Sequence, residues 1–194
     1  MKSGEMLAIV GANGSGKSTL LGLLATARAP VSGQIRWFGR EEGRSASVRR
    51  RLGILFDSTP HFEALTGYQN ALFFAAVYGV ARAEAERRLK ELFAWAALDA
   101  ARDLPVAEYS LGMKRRLAVV EALCHQPALL LMDEPTLGLD GLGAAALVAR
   151  LRGSAVRGAA VVVATNDGLV AEACDRQLLI TCGRAREVPR PWAS

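Results

Sequence analysis

The sequence of 194 residues has no apolar run long enough to cross a membrane. A transmembrane helix needs about 20 consecutive apolar residues, and no segment approaches that length. The first residues, Met1-Lys2-Ser3-Gly4-Glu5, place an acid where a signal peptide would continue with apolar residues. We therefore expect a chain that neither spans a membrane nor is exported.

Cysteine and histidine are also scarce, with three and two residues. Cys124, Cys174 and Cys182 are widely spaced in apolar runs and form no C-x-x-C pair, which favours buried reduced thiols over metal ligation and suits a reducing cytoplasm. The net charge of +5 is spread over short arginine clusters. Such clusters are more typical of solvated helix faces than of a nucleic-acid surface, so we expect no nucleic-acid partner.

The apolar residues that are present alternate between strand-like and helix-like patterns. Runs bounded by glycine or charge predict strands at 6–10, 34–38, 53–56, 129–132, 160–164 and 177–181. Helical patterns lie at 17–27, 67–78, 82–96, 111–124, 142–151 and 168–174. This alternation predicts a single α/β domain over 1–194 with a mainly parallel sheet. Residues 66–126 break the alternation and predict an inserted helical subdomain, and 184–194 predict a loosely held tail.

The segment from Gly11 to Ser18, GANGSGKS, fits G-x-x-x-x-G-K-S/T between a predicted strand and a predicted helix. Its glycines let backbone N–H groups point at phosphate oxygens, and the helix N-terminus adds partial positive charge. We expect Lys17 to neutralise the β- and γ-phosphates and the Ser18 hydroxyl to ligate Mg²⁺. The loop alone does not distinguish kinases, GTPases, RecA-like motors and transport ATPases. The predicted nucleotide-binding residues are Asn13, Gly14, Ser15, Gly16, Lys17, Ser18 and Thr19.

A second apolar strand, at 129–132, ends in two carboxylates. Ligands of open α/β sheets bind at the carboxyl ends of the strands. Asp133 suits a Mg²⁺ contact through water, and Glu134 is placed to polarise a water for attack on the γ-phosphate. An accidental Asp-Glu pair after a buried strand is common, so this signal is moderate by itself.

Two longer strings identify the family. The string DEPTLGLD at 133–140 resembles the Walker B motif and D-loop of ABC ATPases, and YSLGMKRRL at 109–117 resembles their signature motif in a variant of bacterial exporter-type (ABC-2-like) members. The order of phosphate loop, helical insert, signature and acidic strand also matches. The resemblance implies a P-loop NTPase (RecA-like) core with the ABC helical subdomain, and ATP with Mg²⁺ as cofactors.

The signature resembles a second phosphate site, formed by Ser110, Gly112 and Met113 at the start of the predicted helix 111–124. The simpler interpretation is an ordinary helix cap at Ser110. In the family this motif binds the γ-phosphate of ATP held by the opposite subunit, which implies a head-to-tail homodimer or paired ATPase subunit. The resemblance implies that Asp140 links the two sites.

The sequence departs from the family pattern in three places. The early strand that carries an aromatic residue for adenine does not precede Gly11 at the usual distance. Asp57 stands where the family has a glutamine, and it could still ligate Mg²⁺. Asn166 stands where the family has a switch histidine, and it can donate a hydrogen bond but cannot carry a proton. These replacements predict slower turnover, with Asn166 and Glu134 as the catalytic candidates. For His61 and His125 we favour structural or permease-facing roles over catalysis.

The family resemblance predicts an ATPase that powers transport, with export favoured, through a separate transmembrane permease. We expect such a subunit to lie in the cytoplasm, peripheral at the inner face of the cell membrane. A non-transport ABC ATPase and a nucleotide-gated module that hardly hydrolyses ATP are the alternatives. The transported substrate is recognised by the permease, so this sequence does not identify it.

Overall fold

The structure is a computed structural model that describes residues 1–41, 45–56 and 61–189. The chain divides into two compact units. One unit contains Met1–Asp57 and Ala128–Ser194, and the other contains Ser58–Pro127. In the described ranges, no helix is both long and apolar enough to cross a membrane.

The first unit is built on a six-stranded sheet with the order β2-β3-β4-β1-β5-β6. The strands are β1 (Met6–Val10), β2 (Leu52–Leu55), β3 (Leu129–Asp133), β4 (Ala160–Ala164), β5 (Arg176–Thr181) and β6 (Arg184–Val188). All neighbouring strands are parallel except β5 and β6. The predicted α/β fold with a mainly parallel sheet is confirmed.

The carboxyl ends of β3, β1 and β4 meet at one edge of the sheet, because β4 pairs with both β1 and β3. Ile9 pairs with Ala164, and Asp133 pairs with Ala164 on the other side. The central strands are apolar except for Asp133 at the end of β3 and are largely buried on both faces, as expected for a parallel sheet. The segments that follow these three strands therefore begin side by side.

Four helices belong to this unit: α1 (Lys17–Leu24), α2 (Ala46–Arg49), α6 (Gly141–Val156) and α7 (Gly168–Ala173). Helix α1 packs on the sheet face that presents Ile9, Leu131 and Val162, where Leu21 is fully buried. Helix α6 contacts β4, and helix α7 contacts β1. This packing holds the N-terminus of α1 at the edge where the central strands end.

The second unit is helical and consists of α3 (Gly67–Val77), α4 (Arg82–Trp95) and α5 (Leu111–Leu123), with two short 3₁₀ turns between α4 and α5. Thr66 and Gln69 form a reciprocal capping box at the start of α3. Helix α3 contacts both α4 and α5, and the core of the unit includes Leu89 and Phe93.

Two sequence predictions about secondary structure are wrong. Residues 34–38 do not form a strand, because Phe38 and Gly39 both have positive φ and turn the chain back to an isolated bridge between Trp37 and Arg40. The supposed loose tail instead begins with strand β6, which pairs antiparallel with β5. Both residues of the connecting turn, Cys182 and Gly183, have positive φ, as in a tight hairpin.

The cysteine prediction is correct for Cys124 and Cys174, which are buried and form no disulfide in the described ranges, and wrong for Cys182, which is exposed. Cys182 occupies the hairpin turn at the end of β5, so its side chain follows the turn and leaves the core. Cys182 was predicted to be buried because an apolar run precedes it.

Candidate functional site

The phosphate loop is fitted closely against strand β5 at one end and is open at its tip. Gly11 has a φ of +149°, and a Cβ atom there would lie 2.4 Å from the carbonyl oxygen of Ile180. Gly14 at the tip has a φ of +78°, and nothing lies within 4 Å of the position of a Cβ atom. Glycine is therefore required at position 11 by both backbone and space, and at position 14 by the backbone alone. The close approach of the Ile180 carbonyl to Gly11 was not predicted from the sequence, because no local pattern signals it.

Lys17 is the first residue of α1 and is buried, with 7% of its surface exposed. Its Nζ donates hydrogen bonds to the carbonyl oxygens of Gly11 at 2.7 Å and Ala12 at 3.4 Å. It also donates to Oδ1 of Asn166 at 3.2 Å. These described partners are neutral oxygens, so they orient the ammonium group without cancelling its charge. The inner side of the loop therefore attracts an anion.

Asn166 bridges two residues of the phosphate loop. Its Oδ1 accepts from Lys17, and its Nδ2 donates to Oδ1 of Asn13 at 2.9 Å. A lysine ammonium can only donate, so Lys17 determines which way the amide of Asn166 points. The segment after β4 is thereby connected through one side chain to the loop after β1.

Glu134 follows directly after β3 and has a φ of +42°. Its backbone N–H donates to the carbonyl of Ala164 at 2.8 Å. Its Oε2 accepts from the Thr165 hydroxyl at 3.2 Å and from the Asn166 N–H at 3.3 Å. These bonds hold the carboxylate at the edge of the sheet. Thr165 is fully buried and was missed by the sequence analysis, although a hydroxyl directly after an apolar strand is a usable signal.

The loop and the two acids line one cavity of about 420 Å³, formed by loop residues between 13 and 19 together with Asp133, Glu134 and Leu137. The hydroxyl of Ser15 is buried and has no hydrogen-bond partner in the described parts of the chain. Ser15 itself does not line the cavity, whereas Lys17 does, and the described partners of the Lys17 ammonium are neutral oxygens, so the residues present fit a bound nucleotide phosphate.

The same cavity fits a magnesium ion only with help from phosphate. Among the described residues, no group of three or more His, Cys, Asp or Glu side chains could hold a metal. The Ser18 hydroxyl and the buried Asp133 carboxylate both border the cavity and are oxygen ligands of the kind Mg²⁺ prefers. The third metal candidate, Asp57, lies outside the described residues.

The predicted signature residues lie in the helical unit, at the N-terminus of α5. The exposed Ser110 is the N-cap of α5, and its Oγ accepts from the Met113 N–H at 3.2 Å. The capping interpretation of Ser110 is therefore correct, and it leaves the predicted anion-binding role untested. Asp140 caps α6 in the same way, because its Oδ1 accepts from the Gly143 N–H at 2.7 Å.

The family described as ABC transporter matches residues 1–137. This chain belongs to the ABC transporter family. The family prediction made from the two strings at 109–117 and 133–140 is therefore confirmed.

Relatives within the ABC transporter family have different transport directions in their names. The cobalt import ATP-binding protein CbiO of Rhodobacter capsulatus is 38% identical over 187 residues, covering 93% of this chain and 67% of the relative. The Nod factor export ATP-binding protein I of Rhizobium sp. (strain N33) is 36% identical over 197 aligned positions, covering 98% of this chain and 64% of the relative. The chain thus spans about two thirds of the length of these curated relatives.

A solved ABC cassette has the same fold. The dimeric structure of an ATP-binding cassette in a post-hydrolysis state, bound to ADP and Pi, matches with a TM-score of 0.86 at 26% identity. The match covers 96% of this chain and 87% of that chain. The prediction of a P-loop NTPase core is confirmed by this likeness.

Within this ABC chain, the sheet unit brings together the phosphate-loop residues, Asp133, Glu134 and Asn166. It does not bring in Ser110, Gly112 or Met113, which belong to the other compact unit. His61 and His125 also belong to that unit, where His125 stacks on Tyr78 with ring centroids 3.6 Å apart.

Proposed function

We propose that this chain binds Mg·ATP in the cavity bordered by the phosphate loop and hydrolyses it as the ATP-binding subunit of an ABC transporter. The observation that carries the proposal is the convergence of a buried lysine and two carboxylates on one cavity of about 420 Å³. A cation for the phosphates, oxygen ligands for a metal and a carboxylate for water are thus within one site.

The phosphate loop grips the triphosphate in this proposal. Loop N–H groups and the Ser15 hydroxyl donate to phosphate oxygens, and Lys17 exchanges its carbonyl partners for the β- and γ-phosphates. Ser18 and Asp133 hold the magnesium ion, Asp133 through water. When bound there, the metal would supply positive charge against that of the transferred phosphoryl group.

Glu134 is the residue that orients and polarises the attacking water. The hydrogen bonds from Thr165 and from the Asn166 N–H fix one oxygen of its carboxylate. Fixing the carboxylate before the reaction lowers the cost of aligning water with the γ-phosphorus. Thr165 therefore acts as a positioning residue for Glu134.

Asn166 replaces a titratable residue with a neutral amide at the γ-phosphate end of the site. Its contact with Lys17 supports a role for Asn166 as a donor to the γ-phosphate once Lys17 moves to the nucleotide. It supplies no positive charge and no proton, so we propose slower turnover than in family members that have histidine here.

A second copy completes the site in the proposed assembly. The N-terminus of α5 presents the Ser110 hydroxyl and the backbone N–H groups of the first turn, which suits the γ-phosphate of ATP bound to a partner. The dimeric ADP-bound cassette supports this arrangement. We further propose that Asp140 couples the two sites and that a transmembrane permease holds the dimer at the inner face of the membrane.

Export is the direction we favour, because the signature variant is exporter-like and a Nod factor export protein is among the relatives. A cobalt import protein is also among the relatives, so likeness to named relatives does not set the direction. Reconstitution with candidate permeases in inverted vesicles, followed by ATP-dependent movement of cargo, tests direction separately from hydrolysis.

The test of hydrolysis compares wild type with Glu134→Gln and Ser110→Arg in single-turnover assays and size-exclusion chromatography with Mg·ATP. We expect Glu134→Gln to retain ATP and form a dimer while hydrolysis falls at least ~10²-fold, the usual contribution of a general base. We expect Ser110→Arg to bind ATP without dimerising.

The matched control is Glu172→Gln, which neutralises an exposed carboxylate on α7 and should leave both readouts unchanged. Failure of the wild type to retain Mg·ATP would contradict the proposal. So would a Ser110→Arg protein that dimerises and cleaves ATP as well as the wild type. Binding and dimerisation without hydrolysis in the wild type would favour the nucleotide-gated module.

A further inference from the structure

The helical unit contains a buried histidine–glutamate pair that the proposed reaction does not use. His61 Nδ1 lies 3.3 Å from Oε1 of Glu121, and the two side chains are 6% and 4% exposed. His61 Nε2 lies 3.2 Å from the carbonyl oxygen of Lys114. Both ring nitrogens of His61 therefore face oxygen atoms on helix α5.

These contacts determine how many protons the pair carries. A carbonyl oxygen can only accept, so Nε2 of His61 must carry a hydrogen. The contact between Nδ1 and Glu121 needs one further proton, on the nitrogen or on the oxygen. The pair is thus either imidazolium with carboxylate or imidazole with carboxylic acid, and both forms hold the same number of protons.

Burial makes this shared proton important for stability. The other oxygen of Glu121, Oε2, is buried and has no hydrogen-bond partner in residues 1–41, 45–56 and 61–189. Burial raises the pKa of Glu121, and the hydrogen bond from His61 opposes this only in part. If the proton left, a buried carboxylate would face a nitrogen lone pair, and an uncompensated buried charge of this kind destabilises the fold.

Other charges around the pair are already matched or stay neutral. Lys114 Nζ pairs with Glu63 at 2.8 Å. Arg88 pairs with Glu84 and donates to the carbonyl of Cys124. Two neutral groups, Cys124 at the end of α5 and Tyr78 at the end of α3, interact electrostatically with Glu121. Burial raises the pKa of the Cys124 thiol to about 12 and also raises the pKa of the Tyr78 hydroxyl. Neither becomes charged near neutral pH.

The pair also has a mechanical position. The segment that begins at His61 is held on its other side by Asn70, whose Oδ1 accepts from the Phe62 N–H at 2.9 Å. Lys114 and Glu121 lie seven residues apart, which is roughly 10 Å along the helix. The two contacts of His61 therefore span about two turns of α5, and they begin just after the N-terminus of the helix, which presents Ser110.

We propose that His61 and Glu121 are positioning residues whose shared buried proton holds helix α5 in place, so that presentation of Ser110 to nucleotide depends on pH. The functional half of this inference rests on the proposed signature site. The sign follows from the raised Glu121 pKa: the stabilisation is fully present at low pH and is lost as pH rises through the folded-state value.

The first test measures amide hydrogen exchange of α5 in the full chain between pH 6 and 9, corrected for the intrinsic pH dependence of exchange. In wild type, the opening equilibrium should rise about tenfold per pH unit while the closed pair keeps a proton that the open state releases, and it should level off once the closed pair also loses it. Glu121→Gln keeps a donor to Nδ1 without a titratable proton and should abolish this rise. The control Glu63→Gln removes only the exposed ion pair with Lys114 and should retain it.

The inference is overturned if Glu121→Gln and wild type open with the same pH dependence, or if Glu63→Gln also abolishes it. Should Glu121→Gln fail to fold, the wild type still decides: the ¹³C signal of the Glu121 carboxyl and the ¹⁵N signals of the His61 ring must report one shared proton at pH 7. An ionised Glu121 beside a neutral His61 at that pH contradicts it.

Steady-state hydrolysis over the same pH range gives the functional readout. Wild type and Glu63→Gln should lose activity towards pH 9 in parallel with opening of α5, and Glu121→Gln should lose less. If none of the proteins hydrolyses ATP, the proposed function fails while hydrogen exchange still decides the role of the pair. If hydrolysis does not change with pH while α5 opens, the proposal that opening of α5 impairs the presentation of Ser110 is wrong.

Discussion

A single amide, that of Asn166, connects the segment after β4 to the phosphate loop after β1. It accepts from Lys17 and donates to Asn13, so one neutral side chain holds the charged residue of the phosphate loop. Because an amide has both a donor and an acceptor end, it satisfies both partners at any pH. The contact stabilises the loop without adding charge to the site.

Replacing Asn166 with histidine tests whether this neutrality limits turnover. An imidazole can carry a proton and a positive charge towards the γ-phosphate, so Asn166→His should raise steady-state hydrolysis about tenfold at neutral pH, less than an ideally placed acid–base group supplies. The new activity should depend on pH where the wild type's chemical step does not.

Asn166→Ala is the matched control, since it removes the amide without adding a titratable group. It should weaken the hold on Lys17 and lower hydrolysis. An unchanged rate in Asn166→His would show that this position does not limit turnover.

Among the helices, α6 depends unusually on its cap. Its first turn contains Gly141 and Gly143, which are poor helix formers, and the capping bond from Gly143 N–H to Asp140 is short at 2.7 Å. Asp140 is also the residue for which the family resemblance implies a coupling role. Stability and coupling can be separated, because serine also caps helices.

We expect Asp140→Ala to lower the free energy of unfolding by about 1 kcal/mol and Asp140→Ser to retain most of it, as measured by urea denaturation. Both variants lack the carboxylate, so both should lose cooperativity of ATP hydrolysis between paired subunits. Retained cooperativity in Asp140→Ser would confine the role of Asp140 to capping α6.

Strands and helices also differ in how well the sequence predicted them. The central strands β1, β3 and β4 have long apolar runs because both faces are covered, and they were predicted closely. Strand β6 has mostly exposed side chains and no apolar alternation, so only its pairing with β5 defines it. The run at 34–38 has the composition of a strand but turns back at Phe38, where two consecutive positive φ angles prevent extension.

Across the sheet unit, Arg176 connects parts of the chain that are far apart in sequence. Its guanidinium contacts Glu5 at 3.0 Å and Glu187 at 2.7 Å. The pKa of Glu187 is lowered by the hydrogen bonds and charge of Arg176, and that of Glu5 first by the Lys2 N–H and then by Arg176. The start of the chain, β5 and β6 are thus joined through one cation.

This arrangement predicts acid sensitivity of the sheet unit. Carboxylates with lowered pKa stabilise the fold above their ordinary value of 4.5 and lose that contribution as pH falls through the lowered values. The urea midpoint of wild type should therefore fall between about pH 5 and pH 3.

Arg176→Gln should flatten this fall by removing the cation that both carboxylates share. Arg36→Gln, which breaks an exposed pair with Glu41, should leave the pH dependence as in wild type. If the urea midpoint fell equally steeply with pH in Arg176→Gln and in wild type, Arg176 would not be the cation responsible for the acid sensitivity.

The sequence alone determined the phosphate loop, the acidic end of β3 and the family, because each depends on residues adjacent in the chain whose spacing the local backbone requires. Tertiary structure decided the contacts of Asn166 with Lys17 and Asn13, the close packing of Gly11 against the Ile180 carbonyl, the pairing of β6 and the His61–Glu121 pair. Except for the β5–β6 hairpin, which joins neighbours in the chain, each of these joins residues that the sequence separates, and the choice of partner depends on how strands and helices pack, which no local pattern encodes.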